Sequence, residues 1–195
     1  GLAVASGTAA IFYSIINLAK AGDRIASAQD LYGGTYTQFD SILPNLGIDT
    51  DFFDPSDPDN LKKSINDKTK AVYSESIGNP ALNVPDFEAI AEIAHENGLP
   101  YILDSTFTTP ALLNPIKHGV DIIDYSLTKW IGGHGTAIGG AVVDSGNFDW
   151  AKSDKHPLLT EPDSSYHGIR YAHDLGELSK LAYILRMRLV PLRNL

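Results

Sequence analysis

Asp121-Ile122-Ile123-Asp124-Tyr125-Ser126-Leu127-Thr128-Lys129-Trp130-Ile131-Gly132-Gly133-His134 runs from an apolar, strand-like stretch into a glycine-rich turn. A lysine, Lys129, stands at the junction, and two hydroxyl side chains, Ser126 and Thr128, stand just before it. An ammonium group normally stays in water. At a strand end beside hydroxyls and glycines it suits a specific task. It can form a Schiff base with an aldehyde cofactor whose phosphate the hydroxyls hold. Taken alone, the same window is also compatible with a surface lysine that follows a strand.

Working outward, short apolar runs alternate with segments of helical periodicity along the whole chain. Ser6-Gly7-Thr8 precedes a buried helix over Ala9–Leu18, which Ala21-Gly22-Asp23 stops. Strands are expected at Arg24–Ala28, Ile48–Phe53, Ala71–Ser76, Tyr101–Asp104, Asp121–Tyr125 and Ala137–Asp144. Helices are expected from Gly33 to about Leu46, from Asp57 or Asp59 to about Ile65, from Phe87 to Asn97, and from Asp174 to Leu189. Asp86 can cap the third of these and Gly98 can close it. Such alternation predicts a three-layer α/β/α fold around a mostly parallel sheet. Ligands of such sheets bind beyond the carboxyl ends of the strands. That rule singles out Gln29–Gly34, Glu75–Asn79, Asp104–Thr106 and Ser126–Lys129.

The 195 residues suffice for one domain with a sizeable core. A net charge of −9 argues against a nucleic-acid partner, because phosphate backbones attract basic faces. The absence of cysteine removes disulfides, thiolate metal sites and cysteine nucleophiles, and it is compatible with a reducing cytoplasm. No apolar run reaches the ~20 residues that cross a bilayer, so no membrane partner is expected. The chain opens on Gly1 without an initiator methionine and closes within a helical pattern, as a piece of a longer protein would.

The strand-end residues suggest one kind of ligand. Ser6-Gly7-Thr8 at a helix start can cradle an anion on exposed backbone N–H groups, with Gly7 allowing close approach. It is equally an ordinary capping turn. Tyr32, beside Gly33-Gly34, can lie flat on an aromatic ring or pack in the core. Asn79, before Pro80, can hold an aromatic hydroxyl or a carboxylate, or simply serve its turn. Asp104 ends an apolar strand, where a carboxylate is costly without a partner. A protonated pyridine nitrogen is such a partner, and a helix cap is another. Thr106 follows two residues on and shares that side if the backbone stays extended. His134 has no ligand partner at helical spacing, so no metal is expected. His167 is expected in a loop near the site entrance. Pyridoxal 5′-phosphate satisfies the phosphate loop, the stacking tyrosine, the asparagine turn, the aspartate and the lysine together, in that chain order. A nucleotide-binding domain is disfavoured, since no phosphate-loop or dinucleotide fingerprint is present.

These motifs resemble the Cys/Met-metabolism group of pyridoxal-phosphate enzymes, of fold type I, essentially from end to end. The most specific segment is Ser126-Leu127-Thr128-Lys129-Trp130-Ile131-Gly132-Gly133-His134-Gly135-Thr136-Ala137-Ile138-Gly139-Gly140. Glu75-Ser76-Ile77-Gly78-Asn79-Pro80 and Asp104-Ser105-Thr106-Phe107 match as well. The run after His134 is most similar to that of O-acetylhomoserine sulfhydrylases; cystathionine synthases and lyases usually carry His-Ser-Asp there. Thr8 stands where methionine is common and Ser105 where asparagine is common.

The resemblance implies that Lys129 forms the Schiff base and that Ser126, Thr128 and the backbone of Ser6, Gly7 and Thr8 bind the phosphate. It implies that Tyr32 stacks on the ring and Asp104 pairs with the ring nitrogen. Thr106 packs near the ring, and Asn79 reaches the phenolic oxygen or the substrate carboxylate. Residues 1–195 are then a cofactor-binding large domain. The family's N-terminal segment and its C-terminal small domain, with the arginine for the substrate carboxylate, lie outside it. The implied reaction is γ-replacement on O-acetyl-L-homoserine by sulfide or a small thiol, in a cytoplasmic tetramer built from dimers. Lys129 is the general base and must shed its proton, which burial would favour. Alternatives are cystathionine γ-synthase, cystathionine γ-lyase or methionine γ-lyase chemistry, and a non-catalytic fragment that only binds the cofactor.

Overall fold

The computed structural model describes residues 1–193. Seven strands form one sheet: β1 (Leu2–Val4), β2 (Arg24–Ala28), β3 (Asp49–Phe53), β4 (Thr69–Glu75), β5 (Tyr101–Asp104), β6 (Ile122–Ser126) and β7 (Gly140–Asp144). Their order is β1-β7-β6-β5-β4-β2-β3. The pairs from β3 to β6 are parallel, while β7 runs antiparallel to β6 and to β1. The apolar runs of β4 to β6 follow from this arrangement, because a parallel strand is covered on both faces. Every residue of β4 and β5 is buried.

The sheet divides the core. One side holds Ile15, Tyr73, Ile102 and Ile122 beneath α1 (Gly7–Ile16), together with Tyr183 and Met187 of a C-terminal helix, Ala182–Leu189. The other holds Val72, Leu103 and Ile123 beneath the helix Phe87–Glu96. The result is the expected three-layer arrangement. Both long helices start as their sequences indicate. Ser6 Oγ accepts from Ala9 N at 3.1 Å, and Asp86 Oδ1 accepts from Ala89 N at 3.0 Å. Gly98 closes the second helix at φ +67°, a left-handed turn that suits glycine.

Several elements depart from expectation. The helix expected over Gly33–Leu46 is α-helical only to Thr37; a π turn, Gln38–Ile42, and a 3₁₀ turn, Pro44–Leu46, complete it. The helix expected from Asp174 begins as a 3₁₀ turn, Gly176–Leu181, and becomes α-helical at Ala182. The last strand starts at Gly140 rather than Ala137. A Cβ there would lie 2.1 Å from Ser6 O, so β7 and the start of α1 touch backbone to backbone. The edge strand β1 was not expected at all. Among the described residues, no helix is long and apolar enough to cross a membrane.

Candidate active site

The carboxyl ends of β4, β5 and β6 and the start of α1 meet around a cavity of about 650 Å³. Its lining includes Ser6, Gly7, Thr8, Tyr32, Asn79, Asp104, Thr106, Ser126, Thr128 and Lys129. All ten sequence-derived site residues therefore stand on one wall system, although they come from five separate segments.

Close packing builds the corner between α1 and β6. A Cβ on Gly7 would sit 2.5 Å from Ser126 Cβ and 2.9 Å from Ser126 Cα. The first turn of α1 thus lies directly on the end of β6. Ser6 spends its side chain on the cap, and the Gly7 and Thr8 amides, in the first helical turn, have no intrahelical acceptor. Both properties suit a phosphate.

Asp104 is buried, and its Oδ1 accepts from Thr106 N at 2.8 Å. Its other oxygen accepts nothing among the described residues. Burial pushes the Asp104 carboxyl above the usual range, while the Thr106 hydrogen bonds pull it back. Such a group gains most from a cation at its free oxygen. Thr106 also ties the two strand ends together, since its Oγ1 accepts from Ser126 N at 2.7 Å.

Tyr32 is half exposed rather than packed in the core, and its side chain lines the cavity. Asn79 N donates to Asp30 O at 3.3 Å, which leaves its side-chain amide for the cavity. Thr128 is more committed. Its Oγ1 donates to Gly139 O at 3.2 Å and accepts from Gly139 N at 3.1 Å, closing the loop after Lys129. To donate to a phosphate, that hydroxyl must give up Gly139. Lys129 itself is exposed, as are its neighbours in the loop Trp130–Ile138. His134 Nδ1 donates to Gly132 O at 2.6 Å and closes a turn. His167 is not among the lining residues.

Glu75 falls in the strand-end segment Glu75–Asn79 but has no role assigned from the sequence; it lines the cavity and is buried. Its Oε1 accepts from Tyr32 N at 2.6 Å. Burial, and then the neighbouring Asp104, push its carboxyl up to about 8. The signal that marked Asp104, an acid ending a buried strand, applies to Glu75 equally.

A second cavity of about 320 Å³ lies at the opposite, amino ends of β5 and β6, lined by His95, Asp121 and Phe148 among others. Among the described residues, no three His, Cys, Asp or Glu side chains cluster so as to hold a metal ion.

Known proteins are similar to this chain in sequence and in fold. The chain is 52% identical over 195 residues to a homocysteine synthase of Schizosaccharomyces pombe, covering 99% of this chain and 45% of the relative. It is 44% identical over 199 residues to an O-acetyl-L-homoserine sulfhydrylase of Leptospira meyeri, covering 100% of this chain and 45% of that one. In structure it matches an O-acetylhomoserine (thiol)-lyase of Campylobacter jejuni that contains N′-pyridoxyl-lysine-5′-monophosphate. The TM-score is 0.88 at 42% identity, over 96% of this chain and 47% of that one. The chain thus spans about half the length of the relatives it matches. The family described as Cys/Met metabolism PLP-dependent enzyme matches residues 1–170, and the chain belongs to that family.

Proposed function

We propose that residues 1–195 are the cofactor-binding large domain of an enzyme that performs γ-replacement on O-acetyl-L-homoserine with sulfide or a small thiol. The observation that carries this reading is the convergence of all ten candidate residues on one cavity. Bound pyridoxal 5′-phosphate supplies an electron sink for the carbon that bears the substrate amine. The residues fit that group. Lys129 Nζ is the amine for its aldehyde carbon. The amides of Gly7 and Thr8, with Ser6, Ser126 and Thr128, hold its phosphate. Asp104 would meet the ring nitrogen, where its negative charge would keep a proton. Tyr32 packs on the ring face, Thr106 holds Asp104 beside it, and Asn79 reaches the phenolic oxygen or the substrate carboxylate.

Lys129, released when substrate binds, takes the α-proton as a general base. Lys129 would next take a β-proton, and acetate would depart from Cγ with the electron pair of the Cγ–O bond. The sulfur nucleophile then forms the Cγ–S bond, and protons return to the β- and α-carbons. The product with sulfide is homocysteine. The same proposal gives a cytoplasmic enzyme that assembles as a dimer of dimers.

Borohydride reduction after incubation with pyridoxal 5′-phosphate tests the core of this reading. The parent chain should gain the mass of one reduced cofactor at the peptide holding Lys129, and Lys129→Ala should gain none. An equal gain in Lys129→Ala sinks the assignment. Assaying the full-length protein with O-acetylhomoserine plus sulfide, against cystathionine alone, separates replacement from lyase chemistry.

A further inference from the structure

β4 ends on Glu75, a buried carboxyl group that the proposed reaction does not use. Strand register sets Glu75 beside Asp104, and Asp104 beside Asp124. Residues paired across parallel strands face the same side, so three acidic groups share one row. The two outer groups are held differently. Asp124 Oδ1 accepts from Ser14 Oγ at 2.8 Å inside the core, beneath α1. Glu75 reaches the loop after β2 and accepts from Tyr32 N at 2.6 Å. A protonated Glu75 still accepts through its carbonyl oxygen and adds no negative charge beside Asp104.

Tyr32 precedes the short helix Gly33–Thr37, and no side chain caps that helix. The loop before it is gripped elsewhere by the turn after β4. Asn79 N donates to Asp30 O at 3.3 Å, and Asn83 Nδ2 donates to Asp30 Oδ2 at 3.0 Å. A Cβ on Gly34 would lie 2.6 Å from Tyr32 Cε1, so the ring rests against the helix backbone. Half of Tyr32 is exposed, and an exposed ring keeps one position only if its backbone is fixed.

We propose that Glu75 is a positioning residue: its carboxyl group fixes the Tyr32 backbone and so holds the Tyr32 ring in place against the bound cofactor. This rests on the reading of the cavity as the pyridoxal 5′-phosphate site. Two measurements test it in the 195-residue chain. Hydrogen exchange of the Tyr32 amide needs no cofactor, and titration with pyridoxal 5′-phosphate gives the affinity. Glu75→Ala should speed Tyr32 exchange about tenfold and weaken the cofactor about tenfold, since a part-buried N–H loses its acceptor. Glu75→Gln keeps an acceptor and should restore both to within about twofold of the parent. If Glu75→Ala folds poorly, Glu75→Leu, which keeps volume but accepts nothing, takes its place. In a Tyr32→Ala background, Glu75→Ala should add no further loss of affinity. Unchanged Tyr32 exchange in Glu75→Ala, or additive losses in the double variant, overturns the proposal. Faster exchange in a chain whose parent form binds no cofactor overturns the cofactor-site reading, and the cofactor half of the proposal with it.

Discussion

Each end of the central strands has a cavity and a buried aspartate, and the two aspartates are bonded differently. At the amino ends, Asp121 Oδ2 accepts from His95 Nε2 at 2.7 Å and from Tyr101 N at 2.8 Å. At the carboxyl ends, Asp104 Oδ1 accepts a single backbone N–H, from Thr106; in both aspartates the other carboxyl oxygen accepts nothing among the described residues. Both sites are concave and both hold a carboxylate. The difference teaches that concavity and acidity do not separate a binding site from a structural one. An acid whose partners come from the chain itself stabilises the fold. An acid left short of partners at a cavity wall stabilises a cationic ligand.

The largest expected effect tests that distinction directly. Asp104→Asn should weaken pyridoxal 5′-phosphate binding about a hundredfold, the scale on which a buried charge loses its ionic partner. Its effect on urea unfolding of the unliganded chain should be small or stabilising, because the raised pKa marks a destabilised charged form. Asp121→Asn should do the reverse. Cofactor affinity should stay within about twofold, while stability falls by about 1–3 kcal/mol as the carboxylate shared by His95 and Tyr101 N becomes a neutral amide. Equal losses of cofactor affinity in the two variants would erase the contrast between the ends.

Glycines sharpen the comparison at an intermediate scale. Gly7 at the upper end and Gly98 at the lower end both resist substitution, for different reasons. At Gly7 a methyl group meets Ser126 Cβ at 2.5 Å and Cα at 2.9 Å, so backbone must move. Gly7→Ala should lower stability by about 1–3 kcal/mol through overpacking and weaken the cofactor as well, since the displaced atoms form the corner proposed to hold the phosphate. At Gly98 the obstacle is conformational, a φ of +67°. Gly98→Ala should cost about 1–2 kcal/mol of stability and leave cofactor affinity unchanged. Paired unfolding curves and cofactor titrations read both quantities.

Much of the upper end is legible in the sequence because each residue there follows a local rule. Asp104, Ser126 and Lys129 each come at the end of an apolar strand, and Ser6-Gly7-Thr8 precedes an evident helix. What escaped depends on distant partners. The Glu75 contact to Tyr32 spans 43 positions and ends on a backbone amide, which has no sequence signature. Asp124 reads as part of a strand, and only register reveals that it lies in the same row as Asp104 and Glu75. β1 has three residues and exists through its pairing with β7. Lys129 is exposed at the head of a loop that the Thr128–Gly139 hydrogen bonds tie together, a closure that spans 11 positions and has no local signature. The late start of the last α-helix reflects the 3₁₀ turn Gly176–Leu181, which an apolar periodicity does not distinguish from a regular helix.

The smallest expected effect belongs to the lower end and turns on pH. The hydrogen bond to Asp121 raises the His95 pKa above its ordinary value of 6.5, against the opposing effect of burial. The folded chain therefore holds that proton more tightly than the unfolded chain does. The added stability is fully present below about pH 6.5 and is lost as pH rises through the folded value. The His95 side chain is 40% exposed, so solvent screening limits the effect to a few tenths of a kcal/mol. His95→Gln should flatten the slope of stability against pH above about pH 6.5, and Asp121→Asn should flatten it equally, because either change removes the pair. A parental slope surviving in Asp121→Asn would mean that the His95 proton answers to something else. The aspartate at the lower end would then be less fully engaged with its neighbours than the contrast with Asp104 requires.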